Sequence, residues 1–399
     1  MYRPIVAFAV AGFIALSSAS SSAAPSGNAA LTGALQNALN TYASTRAKPE
    51  HISAVSLSVS LKGVATTIDL AAGTTRYAGA GAKVTPADLF EIGSITKSFT
   101  SVAILHLEAA GKLSIEDKLG KWLPQYPAWK NVTIRSLLDM TSPIPGYDNE
   151  ASIAKIMGDN PLHHFTREEL IAAAYPHNGK PKAVSGWTYS NTNYLLAETI
   201  VEKAGGKPYA DVLSALFNQV GLKNTYYESN LYPASITNRM VSGYFFNHNP
   251  DDVLLAPLLG HDVKNDSVSW MQGAGGIVSS MQDVSRWARA LYEGPLLAKK
   301  QRTELMTVVS DKTGLPIAGP SKENPSTFGL GVGAGYRPAI GKYWYYQGMT
   351  LGYRVLYAYF PASGAVIVIG LNSQPDDKQN HNGALLEQIF GILHKAGKV

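Results

Sequence analysis

The chain has 399 residues, 45% hydrophobic and 16% charged, with a formal net charge of +5 from 34 Lys and Arg against 29 Asp and Glu. That mixture excludes a disordered chain, and the length buries a substantial core in one large domain or two interlocked ones. The absence of cysteine excludes disulfides, thiolate metal sites, a cysteine nucleophile and lipid attachment through an N-terminal cysteine, while the scattered positive excess offers no dense Lys/Arg stripe for nucleic acid.

Residues 1–24, "MYRPIVAFAVAGFIALSSASSSAA", carry one positive charge, an apolar run from about Ile5 to Leu16 and small residues ending at Ala23-Ala24, the layout of a cleaved secretory signal. The run is too short to span a bilayer. Periplasmic or secreted localisation without stable membrane insertion is therefore expected. "SAVSLSVS" at 53–60 puts Val55, Leu57 and Val59 on one face and turns at Lys62-Gly63 into "TTIDLAA", a predicted β-hairpin. "FTSVAILHLEAAG" is apolar nearly all round, which predicts a buried helix ended by Gly111.

From about 112 to 290 the text is mostly helical with Pro/Gly loops, as in "TIRSLLDM", "TREELIAAAY", "TNYLLAETIVEKAGG" and "SMQDVSRWARALYEG". "TFGLGVGAGY" at 327–336 fits a loose G-x-G-x-x-A, but Arg337-Pro338 and more strand follow where a dinucleotide loop needs a helix, so it reads as a glycine-rich strand. "KYWYYQGM", "YRVLYAYF" and "AVIVIGL" are strands, the last two joined by a turn at Pro361–Gly364, and a closing helix aligns Leu385, Leu386, Ile389, Phe390 and Leu393. The expected fold is α+β: an antiparallel β-sheet built from both termini and flanked by helices, with an inserted, mostly helical subdomain. In residue ranges, one domain runs from 25 to 399, with sheet parts at about 50–111 and 291–399 and the helical part at about 112–290.

Two motifs carry possible chemistry. "GSITK" places Ser94 and Lys97 three apart at a helix start, on one helix face, so the lysine amine can reach the serine hydroxyl. A serine in the first turn also has a free N–H and feels the positive end of the helix dipole. On this stretch alone, Ser94 could equally cap the helix while Lys97 snorkels, and Ser152/Lys155 repeats the spacing. The second motif is Tyr189-Ser190-Asn191, ahead of an amphipathic helix. A tyrosine hydroxyl beside a lysine ammonium can be held ionised as a proton acceptor, and an asparagine amide can bond both a lysine and a substrate carbonyl. A plain turn with Asn191 as cap is the other reading, and Tyr147-Asp148-Asn149 shows the same pattern elsewhere.

Order and context separate these readings. "FEIGSITKSFTSVAILHLEAAGKLSIEDKLGKWLP", "TIRSLLDMTSPIPGY", "YSNTNYLLAETIVEKAGGKPYADVL", "GAGGIVSSMQDVSRWA" and "FGLGVG" together resemble the serine β-lactamase and penicillin-binding DD-peptidase superfamily. The likeness is to its class C-like branch, which also holds D-aminopeptidases and esterases, and it covers nearly the whole chain after the leader. The resemblance implies Ser94 as nucleophile, Lys97 as its activating partner, Tyr189 as general base and Asn191 as ligand of lysine and substrate. It also places the third motif of the family, K-T-G or H-x-G, at "YYQGMTLGY". Tyr346, Gln347, Gly348 and Met349 then become substrate-binding positions, with the Met349 N–H joining that of Ser94 as oxyanion hole. Tyr346 stands where the family has Lys or His, and Arg354, Lys342 or Arg337 are the candidates to replace that cation.

No G-x-S-x-G or H-E-x-x-H occurs, His163 and His164 are adjacent, and His106 lies inside an apolar helix, which disfavours an α/β-hydrolase and a zinc hydrolase. The expected function is an exported serine hydrolase that cleaves a small-molecule or peptide ester, amide or lactam through a Ser94 acyl-enzyme. No metal, organic cofactor or nucleic-acid partner is implied. The alternative is a true class C-like β-lactamase or D-alanyl-D-alanine carboxypeptidase, and a further one is a non-catalytic penicillin or peptidoglycan sensor.

Overall fold

The computed structural model describes residues 27–77, 81–176 and 186–399, so the expected leader at 1–24 lies outside the described residues. Among the described residues one antiparallel sheet has nine strands: β1 (Ala54–Ser60), β2 (Ile68–Gly73), β3 (Val308–Ser310), β4 (Pro316–Ile317), β5 (Ser326–Phe328), β6 (Gly333–Arg337), β7 (Gly341–Met349), β8 (Arg354–Phe360) and β9 (Ala365–Leu371). Their order is β2-β1-β9-β8-β7-β6-β5-β3-β4. The N-terminal hairpin therefore joins the C-terminal strands directly, β1 pairing with β9 in the register Leu57↔Ile369. The glycine-rich stretch is strand, as β5 and β6 flanking a turn.

Every residue of β1, β8 and β9 is buried. Alternation in these strands does not separate core from solvent; it separates two cores. Val55, Leu57, Val59, Ile367 and Ile369 pack with α1 (Gly27–Glu50) and α5 (Asn382–Lys395). Val355, Tyr357, Val366 and Val368 face the opposite side, with α2 (Thr96–Ala109), α3 (Asn191–Gly205) and α4 (Met281–Tyr292). The predicted stripe of the closing helix is present, with Leu385, Leu386, Ile389 and Leu393 buried and Phe390 packed at its margin. Helix α1 has no counterpart in the sequence reading, although Leu31, Leu35, Ala38, Leu39 and Tyr42 form its buried stripe.

Helix α2 is buried from Thr96 to Leu105 and ends before Gly111, whose φ of +69° suits glycine. Each fully buried Ile, Leu or Phe contributes about 1.5–3 kcal/mol, which fixes the head of this helix in place. Phe99 stacks on Trp287 of α4 at 3.6 Å between ring centroids, and the His106 ring meets the Leu296 carbonyl at 2.8 Å, a core role. The predominantly helical stretch also contributes strands to a small second sheet: Thr225–Tyr227 and Ile277–Ser279, with Phe90–Glu91 on the other side. That sheet brings residues 273–276 against the start of α2. No described helix is long and apolar enough to cross a membrane.

Candidate active site

Ser94 lies in a 3-10 turn, Gly93–Ile95, immediately ahead of α2. Lys97, on the first turn of α2, has no solvent exposure. Its Nζ donates to Ser94 Oγ at 3.1 Å and to the Ala274 carbonyl at 2.7 Å, and lies 4.9 Å from the centroid of the Tyr189 ring. No carboxylate among the described residues forms an ion pair with it. The Tyr189 hydroxyl is 2.6 Å from Ser94 Oγ. One serine oxygen is therefore in hydrogen-bond contact with two groups able to take its proton.

The duplicate motifs serve other ends. Ser152 and Lys155 are exposed on the helix Ala151–Asp159, where Lys155 pairs with Asp159 at 2.6 Å. Tyr147 is buried and donates to the Trp270 carbonyl, but its neighbours Asp148 and Asn149 line the cleft beside Ser94. Asn191 also lines the cleft, and its amide donates to Asp148 Oδ2 at 2.9 Å. The expected Asn191–Lys97 bond is replaced: Ala274, in the "GAGG" segment, supplies the carbonyl that holds the lysine.

The third motif departs further from expectation. Gly348 sits against the nucleophile turn, and a Cβ there would come within 1.8 Å of the Ile92 carbonyl oxygen and 3.1 Å of the Ser94 nitrogen. Glycine is needed because β7 packs backbone to backbone on that turn. The contact is reciprocal: a Cβ at Gly93, whose φ is +49°, would meet the Met349 nitrogen at 2.8 Å. Ser94 and Met349 thus face the cleft from abutting backbones, while Gly348 itself does not line it. Gln347 lines the cleft; Tyr346 does not. Tyr346 is 5% exposed, packs edge-on to Phe328, and its buried hydroxyl has no hydrogen-bond partner among the described residues. Burial and the neighbouring Tyr189 push that hydroxyl well above the usual phenol range.

None of the three proposed substitute cations reaches the cleft. Arg354 is 1% exposed and is held on the other side of the sheet by Glu50 at 2.8 Å and the Ser373 carbonyl at 2.7 Å. Arg337 pairs with Glu387 at 2.8 Å, and Lys342 is exposed at the far end of β7. Among the described residues, the cleft of about 770 Å³ is lined by no Lys, Arg or His, and its charged lining groups are Asp148 and Glu150. Asp148 is open to water through the cleft, yet the surrounding protein pushes its carboxyl up, opposed by Lys97 and the Asn191 hydrogen bond. Behind the nucleophile turn, burial raises Glu91 to about 8 against a hydrogen bond from Thr350, a cleft residue.

Sequence reasoning did not single out Asp148, Glu150, Trp270 or Ala274. The signal for Asp148 was present in the second Y-x-N pattern, but its position opposite Asn191 depends on the packing of the loop before residue 151 against α3.

The family model described as Beta-lactamase matches residues 46–389. Penicillin-binding protein 4* of Bacillus subtilis is 31% identical over 235 residues, covering 57% of this chain and 50% of that protein, so the match spans about half of that relative's length. A putative penicillin-binding protein of the same organism is 25% identical over 315 residues, covering 78% and 68%. Among solved structures, the D-amino acid amidase from Ochrobactrum anthropi SV3 complexed with L-phenylalanine superposes with a TM-score of 0.76 at 24% identity, over 92% of this chain and 99% of the other. A D-stereospecific amidohydrolase from Streptomyces sp. gives 0.72 at 23% identity, over 90% and 98%. At these identities the two structural likenesses are likenesses of fold.

Proposed function

Because this chain belongs to the serine β-lactamase and penicillin-binding protein superfamily, we propose that it is an exported serine hydrolase of ester and amide bonds whose acyl part is neutral or bears an amine. The observation that carries this reading is one serine oxygen placed 2.6 Å from Tyr189 and 3.1 Å from Lys97, in a cleft whose charged groups, among the described residues, are carboxylates. Ser94 Oγ attacks the carbonyl carbon while its proton passes to Tyr189, with Lys97 hydrogen-bonded to the serine oxygen. The developing oxyanion sits between the Ser94 and Met349 amides, where it gains charge-assisted hydrogen bonds. The proton then goes to the leaving atom, and water, activated by the same pair, releases the acyl group.

The substrate class follows from charge. Among the described lining residues a carboxylate would face Asp148 and Glu150 with no cation to meet it, whereas an ammonium would find acceptors. The D-amino acid amides named for one structural neighbour have this chemistry, an amine and no carboxylate. Penicillins and D-alanyl-D-alanine peptides carry a carboxylate and are expected to be poorer substrates. A charge-assisted hydrogen bond contributes about 1.5–3 kcal/mol, which corresponds to roughly 10–150-fold in specificity.

The test has two parts. A fluorophosphonate with intact-mass readout should label the wild type once and leave Ser94→Ala unlabelled. A hydrolysis panel of short-chain p-nitrophenyl esters, D-amino-acid amides, nitrocefin and D-alanyl-D-alanine peptides should rank the first two above the last two in kcat/KM. Efficient turnover of nitrocefin and the dipeptides would return the assignment to a β-lactamase or carboxypeptidase, and no labelling at all would leave the sensor reading.

A further inference from the structure

A second cavity of about 240 Å³ adjoins the cleft, on the far side of Tyr189 and Gln347, which line both. Its walls are aromatic: Trp187, Phe328, Tyr345 and Tyr346. Trp187 and Phe328 meet at 5.6 Å between centroids and Phe328 and Tyr346 at 5.7 Å, both edge to face. Asp311 is its one charged lining residue among the described residues. Apolar cavities of roughly 150 Å³ already take up benzene, so this volume suits a single aromatic ring.

We infer that this cavity is the leaving-group subsite and that it selects aromatic leaving groups without negative charge. The inference rests on the acyl-enzyme reading above. Acylation forms the bond from Ser94 Oγ to the acyl carbon and breaks the bond from that carbon to the leaving oxygen or nitrogen. The serine proton, taken by Tyr189, ends on that leaving atom. The acyl part stays attached to Ser94, which lines the larger cleft and not the smaller cavity. The leaving atom must depart within hydrogen-bond reach of its proton donor, and Tyr189 is a wall of the smaller cavity. The two halves of the substrate are thereby divided between two cavities of different chemistry: carboxylates around the acyl part, aromatic rings around the leaving part. Asp311 sets the sign, because a carboxylate on the leaving group would be repelled there.

The test uses acetate esters that share one acyl group. For wild type, kcat/KM of benzyl acetate should exceed that of methyl acetate by at least about tenfold, and 4-carboxybenzyl acetate should fall about tenfold below benzyl acetate. Ser326→Phe, which fills the cavity, should lower the benzyl-to-methyl ratio about tenfold, and Asp311→Asn should narrow the gap between the benzyl and carboxybenzyl esters. Active-site titration with the fluorophosphonate corrects each variant for misfolded protein, and the wild-type ratios decide the matter even if a variant does not fold. If Ser94 is acylated by both esters but the benzyl-to-methyl ratio is near one, the subsite is overturned and the acyl-enzyme reading stands. If neither ester acylates Ser94, the acyl-enzyme reading falls and the subsite falls with it.

Discussion

Lys97 and Arg354 are both sealed from solvent on opposite sides of the same sheet, at 0% and 1% exposure. Arg354 is saturated: Glu50, Asn380 and Ser373 take its guanidinium, and Glu50 in turn accepts from Tyr42 and Arg46. Among the described residues Lys97 has only neutral hydrogen-bond partners, a backbone carbonyl and the hydroxyl of Ser94. A buried cation matched by a buried carboxylate is held in a fixed network whose value is structural. A buried amine matched to a hydroxyl leaves a proton that can move. The pairing of each cation, more than its burial, separates scaffold from site.

Four substitutions and one silent control test that contrast, in order of expected effect. Ser94→Ala should lower turnover by at least about a thousandfold, as loss of a covalent nucleophile does, with the fold intact by circular dichroism; Ser152→Ala, on an exposed helix, should leave turnover unchanged. Equal effects of the two would remove Ser94 from the mechanism. Arg354→Ala should instead act on stability, lowering the unfolding free energy in urea by about 3–5 kcal/mol because buried Glu50 loses its buried cation and is left with the partly exposed Arg46. A variant of normal stability that lost activity would reverse the roles assigned to the two sides of the sheet.

Tyr189→Phe removes one oxygen and should cost on the order of a hundredfold in kcat/KM if that oxygen carries the proton; near-normal activity would leave the transfer to Lys97 alone. The smallest effect concerns pH. Burial raises Glu91 to about 8 from an ordinary value of 4.5, so the folded state keeps a proton that the unfolded chain has already released. Stability should therefore be greatest at the acid end of that window and decline as pH rises from about 4.5 to about 8. Glu91→Gln should flatten part of this decline, raising the melting temperature by a few degrees at pH 8 relative to wild type. Only part is removed because buried Glu198 is also raised, to about 7. An unchanged slope would show that Glu91 is ionised in the folded protein.

Much of this was legible from short-range pattern. The strands at both ends follow from period-two apolar runs and β-branched or aromatic residues, and α2 follows from a stretch apolar nearly all round and closed by glycine. Ser94 and Lys97 share a helix face by spacing alone. Helix α1 was passed over because its stripe is diluted by Asn, Thr, Ser and Ala, with a low contrast between faces. The serines of β1, which alternate with Val55, Leu57 and Val59, are buried as well: Ser58 donates to Asp69 and Ser60 accepts from Arg289, so polar partners on β2 and α4 rather than water receive them.

The sequence by itself determined the fold class, the strands at both ends, the closing helix and which serine stands one helical turn from a lysine, because each depends on residues within a few positions of one another. The tertiary structure alone decided what lies around that serine. Ala274 is separated from Lys97 by 177 positions and Tyr189 from Ser94 by 95, and their contacts exist only because a small second sheet and α3 carry them there. It also decided that Arg354 faces away from the cleft and that Gly348 backs onto the nucleophile turn. A strand sends alternate side chains to opposite faces, and which face meets the site is set by the helices packed on each side.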